Sequence, residues 1–461
     1  MDKAASTSPS ALEASNDARK PYQTHAILAR DRELSCDAHA TGLNNNMLVI
    51  GPSGSGKTRS VLEPNLLQAS GSYIIMDTKG ALHREMAPYL AARGYEVQRL
   101  DFADLALHEP GRTDDAVGYN PLAFIRRDPV SGRPNQQDII SVACALCPTE
   151  NNEPFWDRAA ANYLACFIAY ALEQLPEDEQ TLDSVISLAV GMQDHSTDML
   201  MYELEETDPS SFALELHRRA RATQGADRMH ASILGIIAEK TMCLGFDAAR
   251  ALYHHPRQVD FARMGRERIA LFVTVSDIDH SLEPLTSLFI SQAFSSLIRE
   301  ADRCPEGSLP VPVRLMLDDF ANLRIPHMAD ILSVIRSREI WCTMLLQSTA
   351  QLVARYGESE AISIIGNCDT QIVLAFQDVD TASRYRDRAN KMASSLMATP
   401  LDRAWLFVRG RAAEEVDKYD LASHPAFVEM VAARDAARQG EPEAPVGRHG
   451  DMASFDLNLI P

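Results

Sequence analysis

The apolar run Met47-Leu48-Val49-Ile50 passes directly into Gly51-Pro52-Ser53-Gly54-Ser55-Gly56-Lys57-Thr58 and then into a stretch that can be helical. Strand, glycine-rich loop and helix in that order are the setting of a phosphate-binding loop, and they commit the chain to an α/β fold with a nucleoside triphosphate at one sheet edge. Gly51, Gly54 and Gly56 lack the Cβ that would stop backbone N–H groups curling round phosphate oxygens, while Pro52, Ser53 and Ser55 complete the cradle. Lys57 is expected to reach the β- and γ-phosphates and Thr58 to offer its hydroxyl to Mg2+. A nucleoside triphosphate and Mg2+ are therefore expected, and the loop leaves open which nucleotide. The alternative, a glycine-rich turn followed by a chance Lys-Thr, does not account for the strand and helix on either side.

Further short apolar runs bounded by turn residues recur at 73–76, 96–100, 269–275, 313–317, 342–346, 371–375 and 405–408. They read as buried strands, and segments of helical periodicity between them, such as 81–93 and 328–338, predict a mostly parallel sheet with helices on both faces. The exception is 136–264, where Leu, Ile and Ala recur at helical spacing with no strand pattern, so an inserted all-helical domain is expected there. The expected organisation is a loose tail over 1–24, a first nucleotide-binding part over 25–135, the helical insertion over 136–264, a second nucleotide-binding part over 265–432, and a flexible tail over 433–461.

Composition narrows the partners. With 64 acidic against 44 basic residues the formal net charge is −20, which opposes nonspecific adsorption to nucleic acid or anionic lipid, so any DNA contact must be local. Arg218, Arg219, Arg221 and Arg228 in the insertion are a candidate for such a surface, against the plainer reading of a solvated helix face. The eight cysteines form no closely spaced framework, which favours reduced thiols in a cytoplasmic compartment. Cys144 and Cys147 make a lone C-x-x-C with no second pair or nearby His, so helical packing outweighs a metal or redox role. The chain shows no run of about 18 apolar residues, the length a membrane span needs. A soluble, cytoplasmic protein is the expectation.

The run Val313-Arg314-Leu315-Met316-Leu317 ends in Asp318-Asp319. Two carboxylates at the carboxyl end of a buried strand have the form of a Walker B element: Asp318 would join the Mg2+ shell, and Asp319 would orient or deprotonate the attacking water. The following run Thr343-Met344-Leu345-Leu346 ends in Gln347, placed to sense the γ-phosphate or position water unless it merely caps a helix.

Taken in order, the segments TGLNNNMLVIGPSGSGKT, PNLL, MDTKG, GYNPLAF, PFWDRA, LMLDDFANLRIP, SVIRSREI, LQSTAQL, IIGNCDT and KYDLASHP carry a resemblance covering about residues 25–427. The chain resembles the type IV secretion coupling proteins of the TraG/TraD-like group, conjugative DNA-transfer ATPases of the FtsK/HerA superfamily. The resemblance implies a RecA-like P-loop NTPase, a homo-hexameric ring with nucleotide sites between subunits, and delivery of single-stranded DNA with its relaxase, or of protein, to type IV secretion channel proteins. It matches Lys57 and Thr58 to the phosphate-loop pair, Asp318 and Asp319 to the Walker B acids, and Gln347 to the motif III glutamine. Arg336, eleven residues before Gln347, matches an arginine assigned to a neighbouring subunit's site; the alternative is a surface Arg at a helix end, and Arg338 stands close by. Three features depart from the pattern. Asp319 stands where the family usually has Glu, Thr78 replaces the proline of D-P-K-G while Asp77 and Lys79 remain, and the transmembrane helices with which relatives begin are absent from the sequence. An ATP-driven translocase is the leading expectation. A hydrolysis-poor adaptor that recruits substrates through the helical insertion, and an ATPase that exports protein without touching DNA, are the alternatives.

Overall fold

Each apolar run becomes a strand because a parallel sheet covered on both faces leaves its strands no solvent side. The structure, a computed structural model, describes residues 25–440 apart from 79, 109–113, 150–153, 222–226 and 277, so the expected tail over 1–24 lies outside the described residues. The strands are β1 (His25–Ala29), β2 (Arg32–Ser35), β3 (Met47–Ile50), β4 (Ser72–Asp77), β5 (Glu96–Asp101), β6 (Ile269–Thr274), β7 (Val313–Leu317), β8 (Ile340–Leu346), β9 (Thr370–Val373), β10 (Arg403–Val408) and β11 (Glu414–Asp417). Among the described residues nine of them form one sheet in the order β11-β10-β9-β3-β8-β7-β4-β6-β5, and β1 pairs with β2 in a separate hairpin. From β9 to β5 every pairing is parallel, whereas β10 runs antiparallel to both β9 and β11.

This order places β8 between the phosphate-loop strand β3 and the acid-bearing strand β7. That interposed strand is the RecA-like arrangement of a P-loop NTPase, and it brings Gly51, Asp318 and Gln347 to one carboxyl edge. Parallel register fixes the levels: Ile50 lies opposite Leu346 on β8, and Leu317 lies opposite Met344.

The helix after the phosphate loop departs from regular geometry. Residues Thr58–Leu62 form a π turn, closed by Glu63 N–H donating to Thr58 O, before the α-helix Glu63–Leu67. Pro64 supplies the reason, since it has no N–H to give the carbonyl four residues back and its ring would press on that carbonyl; widening the preceding turn relieves both. Glu63 is buried there, and burial, with Glu85 adding repulsion and Arg59 partly opposing it, pushes its carboxyl up to about 7 from 4.5. Folding therefore holds an extra proton between these values, so this group's contribution to stability declines as pH rises through the window. Glu63→Gln should be about as stable as the wild type near pH 5 and more stable near pH 8, by on the order of 2–3 kcal/mol, in urea denaturation at the two pH values. Equal gaps at both would show that Glu63 does not titrate there.

Within 136–264 the described regular elements are helical, with the longest at Pro154–Gln174. They share one continuous apolar core with a face of the sheet, running from Ile50 and Leu100 through Ile139 and Phe167 to Phe289. The two ends of the insertion are clasped together. Gly118 N–H donates to Arg257 O at 2.7 Å, Tyr119 N–H to Leu252 O at 3.0 Å, and Val259 N–H to Gly118 O at 3.0 Å. A Cβ on Gly118 would stand 2.4 Å from Leu252 O, so the approach requires glycine there. Tyr119 then donates its hydroxyl to Gln292 Oε1 at 2.7 Å and sets its ring edge-on against Phe289. The GYNPLAF segment is thus a structural clasp.

Three differences from the sequence reading have physical causes. Strands β1, β2 and β11 were not expected: they are four or five residues long, and Arg32-Glu33-Leu34-Ser35 and Glu414-Glu415-Val416-Asp417 carry the charges that blunt exposed edges. The helix expected over 328–338 ends at Val334, and a 3-10 turn at Arg336–Arg338 leads through Glu339, at φ +58°, into β8. The boundary expected at 433 falls inside a helix, Phe427–Gly440, whose Ala-rich run sustains helicity until Gly440. Met430 is buried in that helix, and Glu429 accepts from Arg93 Nη2 at 2.8 Å. The remainder of the expected tail, 441–461, lies outside the described residues.

Candidate nucleotide site

The phosphate loop is hung from two neighbouring strands. Gly51 N–H donates to Leu346 O at 3.0 Å, and Leu374 N–H donates to Ile50 O at 2.8 Å. Gly54 and Gly56 take φ of +76° and +90°, the left-handed region that side chains disfavour, and a Cβ on Gly51 would meet Ser55 Oγ at 2.5 Å. These three glycines are required by the turn itself. Lys57 is buried and donates from Nζ to Gly51 O at 2.7 Å and to Pro52 O at 3.3 Å, folding back over the loop it belongs to. Burial holds its pKa below the ordinary lysine value, although Asp318 and Asp319 pull the other way.

Across β8, Thr58 Oγ1 donates to Asp318 Oδ2 at 3.4 Å. Burial, with the neighbouring Asp319 adding to it, raises the Asp318 pKa; the Asp319 N–H, Lys57 and the Thr58 hydroxyl work in the opposite direction. A hydroxyl and a carboxylate facing each other beside the loop are hard oxygen donors that fit Mg2+. Asp319 sits at φ +47°, a conformation that Asp and Asn tolerate better than longer side chains. A cavity of about 30 Å³, room for a water molecule, lies against Asp318, Asp319, Thr78, Ser276, Glu283 and Asn322.

Gln347 is exposed at the carboxyl end of β8, at the same edge as the loop and the acids. Its N–H donates to Gln351 Oε1 at 3.3 Å, and the actual helix cap is Ser348, whose Oγ accepts from Gln351 N–H. That removes capping as the reason for Gln347. Arg336 is not brought to this cluster. It precedes β8, so the seven-residue strand, about 23 Å long, separates it from Gln347; it is exposed and donates to Ala38 O at 3.0 Å. Arg338 is engaged by Asp302 at 2.8 Å, which distinguishes the two arginines.

Other candidates resolve into structural roles. Asp77 caps the helix Ala81–Ala92, accepting from Ala81 N–H and His83 N–H at 3.1 Å each, while Lys79 lies outside the described residues. Cys147 is buried and its thiol is pushed up to about 12, and among the described residues no His, Cys, Asp and Glu cluster has the form of a metal site. Arg218 and Arg219 are exposed and paired with Glu205 at 2.7 Å and Glu215 at 2.5 Å, which fits a solvated helix face; the side chains of Arg221 and Arg228 lie outside the described residues. One contact was not foreseen. Lys418 donates from Nζ to Ser55 O in the phosphate loop at 2.9 Å.

A family model described as type IV secretory system conjugative DNA transfer matches residues 14–389. The chain belongs to this family. Among curated relatives of this conjugative DNA transfer family, the conjugal transfer protein TraG of Escherichia coli is 24% identical over 357 residues, covering 73% of this chain and 53% of the relative. Protein VirD4 of Rhizobium rhizogenes is 22% identical over 376 residues, covering 79% of this chain and 52% of the relative. The chain spans about half the length of the curated relatives it matches. Among solved structures, the bacterial conjugative coupling protein TrwBdeltaN70 in its unbound monoclinic form superposes with a TM-score of 0.62 at 17% identity, covering 88% of this chain and 90% of that one. The plasmid coupling protein TrwB in complex with ADP and Mg2+ gives a TM-score of 0.62 at 17% identity, covering 88% and 92%. At such identities the likeness establishes the fold.

Proposed function

We propose that this chain is an ATP-driven translocase, a coupling protein that delivers DNA or a relaxase–DNA complex to a conjugative type IV secretion channel. The observation that carries the reading is the convergence of Lys57, Thr58, Asp318, Asp319 and Gln347 on one edge of a RecA-like sheet, in a chain whose family transfers DNA. The loop N–H groups cradle the phosphates, and Lys57 offers its ammonium to the β- and γ-phosphate oxygens. Thr58 and Asp318 are the donors that would hold Mg2+, which when bound neutralises charge on those oxygens. Asp319 orients a water and takes its proton as the water oxygen bonds to the γ-phosphorus and the bond to the β-phosphate oxygen breaks; Gln347 helps hold that water. Arg336 serves the site of the next subunit in a homo-hexamer.

The helical insertion, taken as 136–264, is proposed to select substrate. No helix among the described residues is long and apolar enough to cross a membrane, and work at the inner face of the plasma membrane through an anchor protein belongs to the same proposal. Steady-state ATP hydrolysis with and without single-stranded DNA tests it. Turnover should rise severalfold with DNA; measurable hydrolysis indifferent to DNA would favour protein export, and tight nucleotide binding without turnover would favour the adaptor.

A further inference from the structure

Strand β11 carries the chain back to the nucleotide edge. Because β10 is antiparallel to β9 and β11 is antiparallel to β10, β11 points the same way as β3, and its carboxyl end emerges on the side of the phosphate loop. Asp417 pairs with Arg403 there, Arg30 N–H donates to Asp417 O at 3.0 Å, and Lys418 N–H donates to Asp402 O at 3.0 Å. The Lys418 backbone is thereby held from two sides. Its side chain, half-buried, extends across to Ser55 O at 2.9 Å, a contact between residues 363 apart in sequence.

The loop is thus gripped by two lysines from different directions. Lys57 holds the proximal limb through Gly51 O and Pro52 O, and the three N–H donors of its ammonium must also serve the phosphates when nucleotide binds. The distal limb, Ser53 to Gly56, contains two glycines at positive φ and has an internal turn bond from Ser55 N–H to Pro52 O at 3.2 Å. A limb of that composition has much conformational freedom to lose on binding. A lysine anchored in the sheet and bonded to its carbonyl removes part of that freedom in advance.

We propose that Lys418 is a positioning residue for the nucleoside triphosphate, acting through Ser55 to hold the phosphate loop in its binding shape. The inference rests on the nucleotide-site reading above. Its test is titration of a fluorescent ADP analogue with Mg2+ on the full chain as wild type, Lys418→Met and Lys418→Arg, together with KM and kcat for ATP and the melting temperature without nucleotide. Loss of a charge-assisted bond that acts on the loop should weaken analogue binding and raise KM by about tenfold in Lys418→Met, change kcat less than about twofold, and be largely restored by Lys418→Arg. Binding by Lys418→Met within about twofold of wild type would overturn the role. So would a fall in kcat at constant KM, or a fall in melting temperature with affinity unaltered in the folded protein, which would leave Lys418 only the upkeep of β11. A wild type that fails to bind the analogue would overturn the nucleotide site, and the role with it.

Discussion

Lys57→Ala should lower kcat/KM for ATP by about a thousandfold or more, since it removes a buried ammonium that the loop geometry holds ready for the phosphates. Part of the loss should appear in binding, because the same charge meets the nucleotide before and during phosphoryl transfer. Asp319→Asn should behave differently: nucleotide affinity within severalfold of wild type, and kcat down by about a hundredfold to ten-thousandfold. The substitution is a clean one here, because Asn tolerates the left-handed backbone of position 319, at φ +47°, as well as Asp does. Phosphate release and analogue titration separate the two variants, and equal hydrolysis by wild type and both would sink the assignment. The same backbone bears on the family's usual Glu at this position. A longer side chain at φ +47° adds strain of about 1 kcal/mol that ground and transition states share, so Asp319→Glu should cost about that much in folding stability and change the rate only through water alignment.

The second large effect concerns Arg336. Arg336→Ala should cost about a thousandfold in turnover while leaving monomer stability nearly unchanged, since the side chain is exposed and bonded to one backbone carbonyl. Its place at the far end of β8 puts the nucleotide of its own subunit out of reach, which is the motive for assigning it to a neighbour. Inactive Arg336→Ala subunits mixed with inactive Lys57→Ala subunits should therefore recover activity, because some interfaces would join an intact loop to an intact arginine. Co-assembly must be demonstrated by differential tagging and pull-down. Mixed rings that form and stay inactive at every ratio would place Arg336 in structural support. Arg338, already engaged by Asp302, should show no such complementation.

The sheet was legible because parallel strands buried on both faces are written as unbroken apolar runs, and the phosphate loop because its chemistry admits few residue types. Asp318, Asp319 and Gln347 follow from the same logic, since each terminates an apolar run. Strand β11 escaped because one buried Val among three acids leaves no periodic trace, and the Lys418 contact escaped with it: it depends on three successive strand pairings and a reach across the edge. The π turn was hidden for another reason. Pro64 within a helical stretch signals irregularity without saying whether the chain kinks, stops or widens.

All seven residues of β8 are buried, and hydrogen-bonded strands flank it on both sides. Close-packed interiors compress very little, so a displacement at one end of such a rod is passed on toward the other end, shared with the strands bonded beside it. In a ring, the end carrying Gln347 would feel the subunit's own γ-phosphate while the end carrying Arg336 would touch the neighbour's. Each subunit would then work as a push-rod between consecutive combustion chambers, and the order of firing round the ring would be set by mechanical timing.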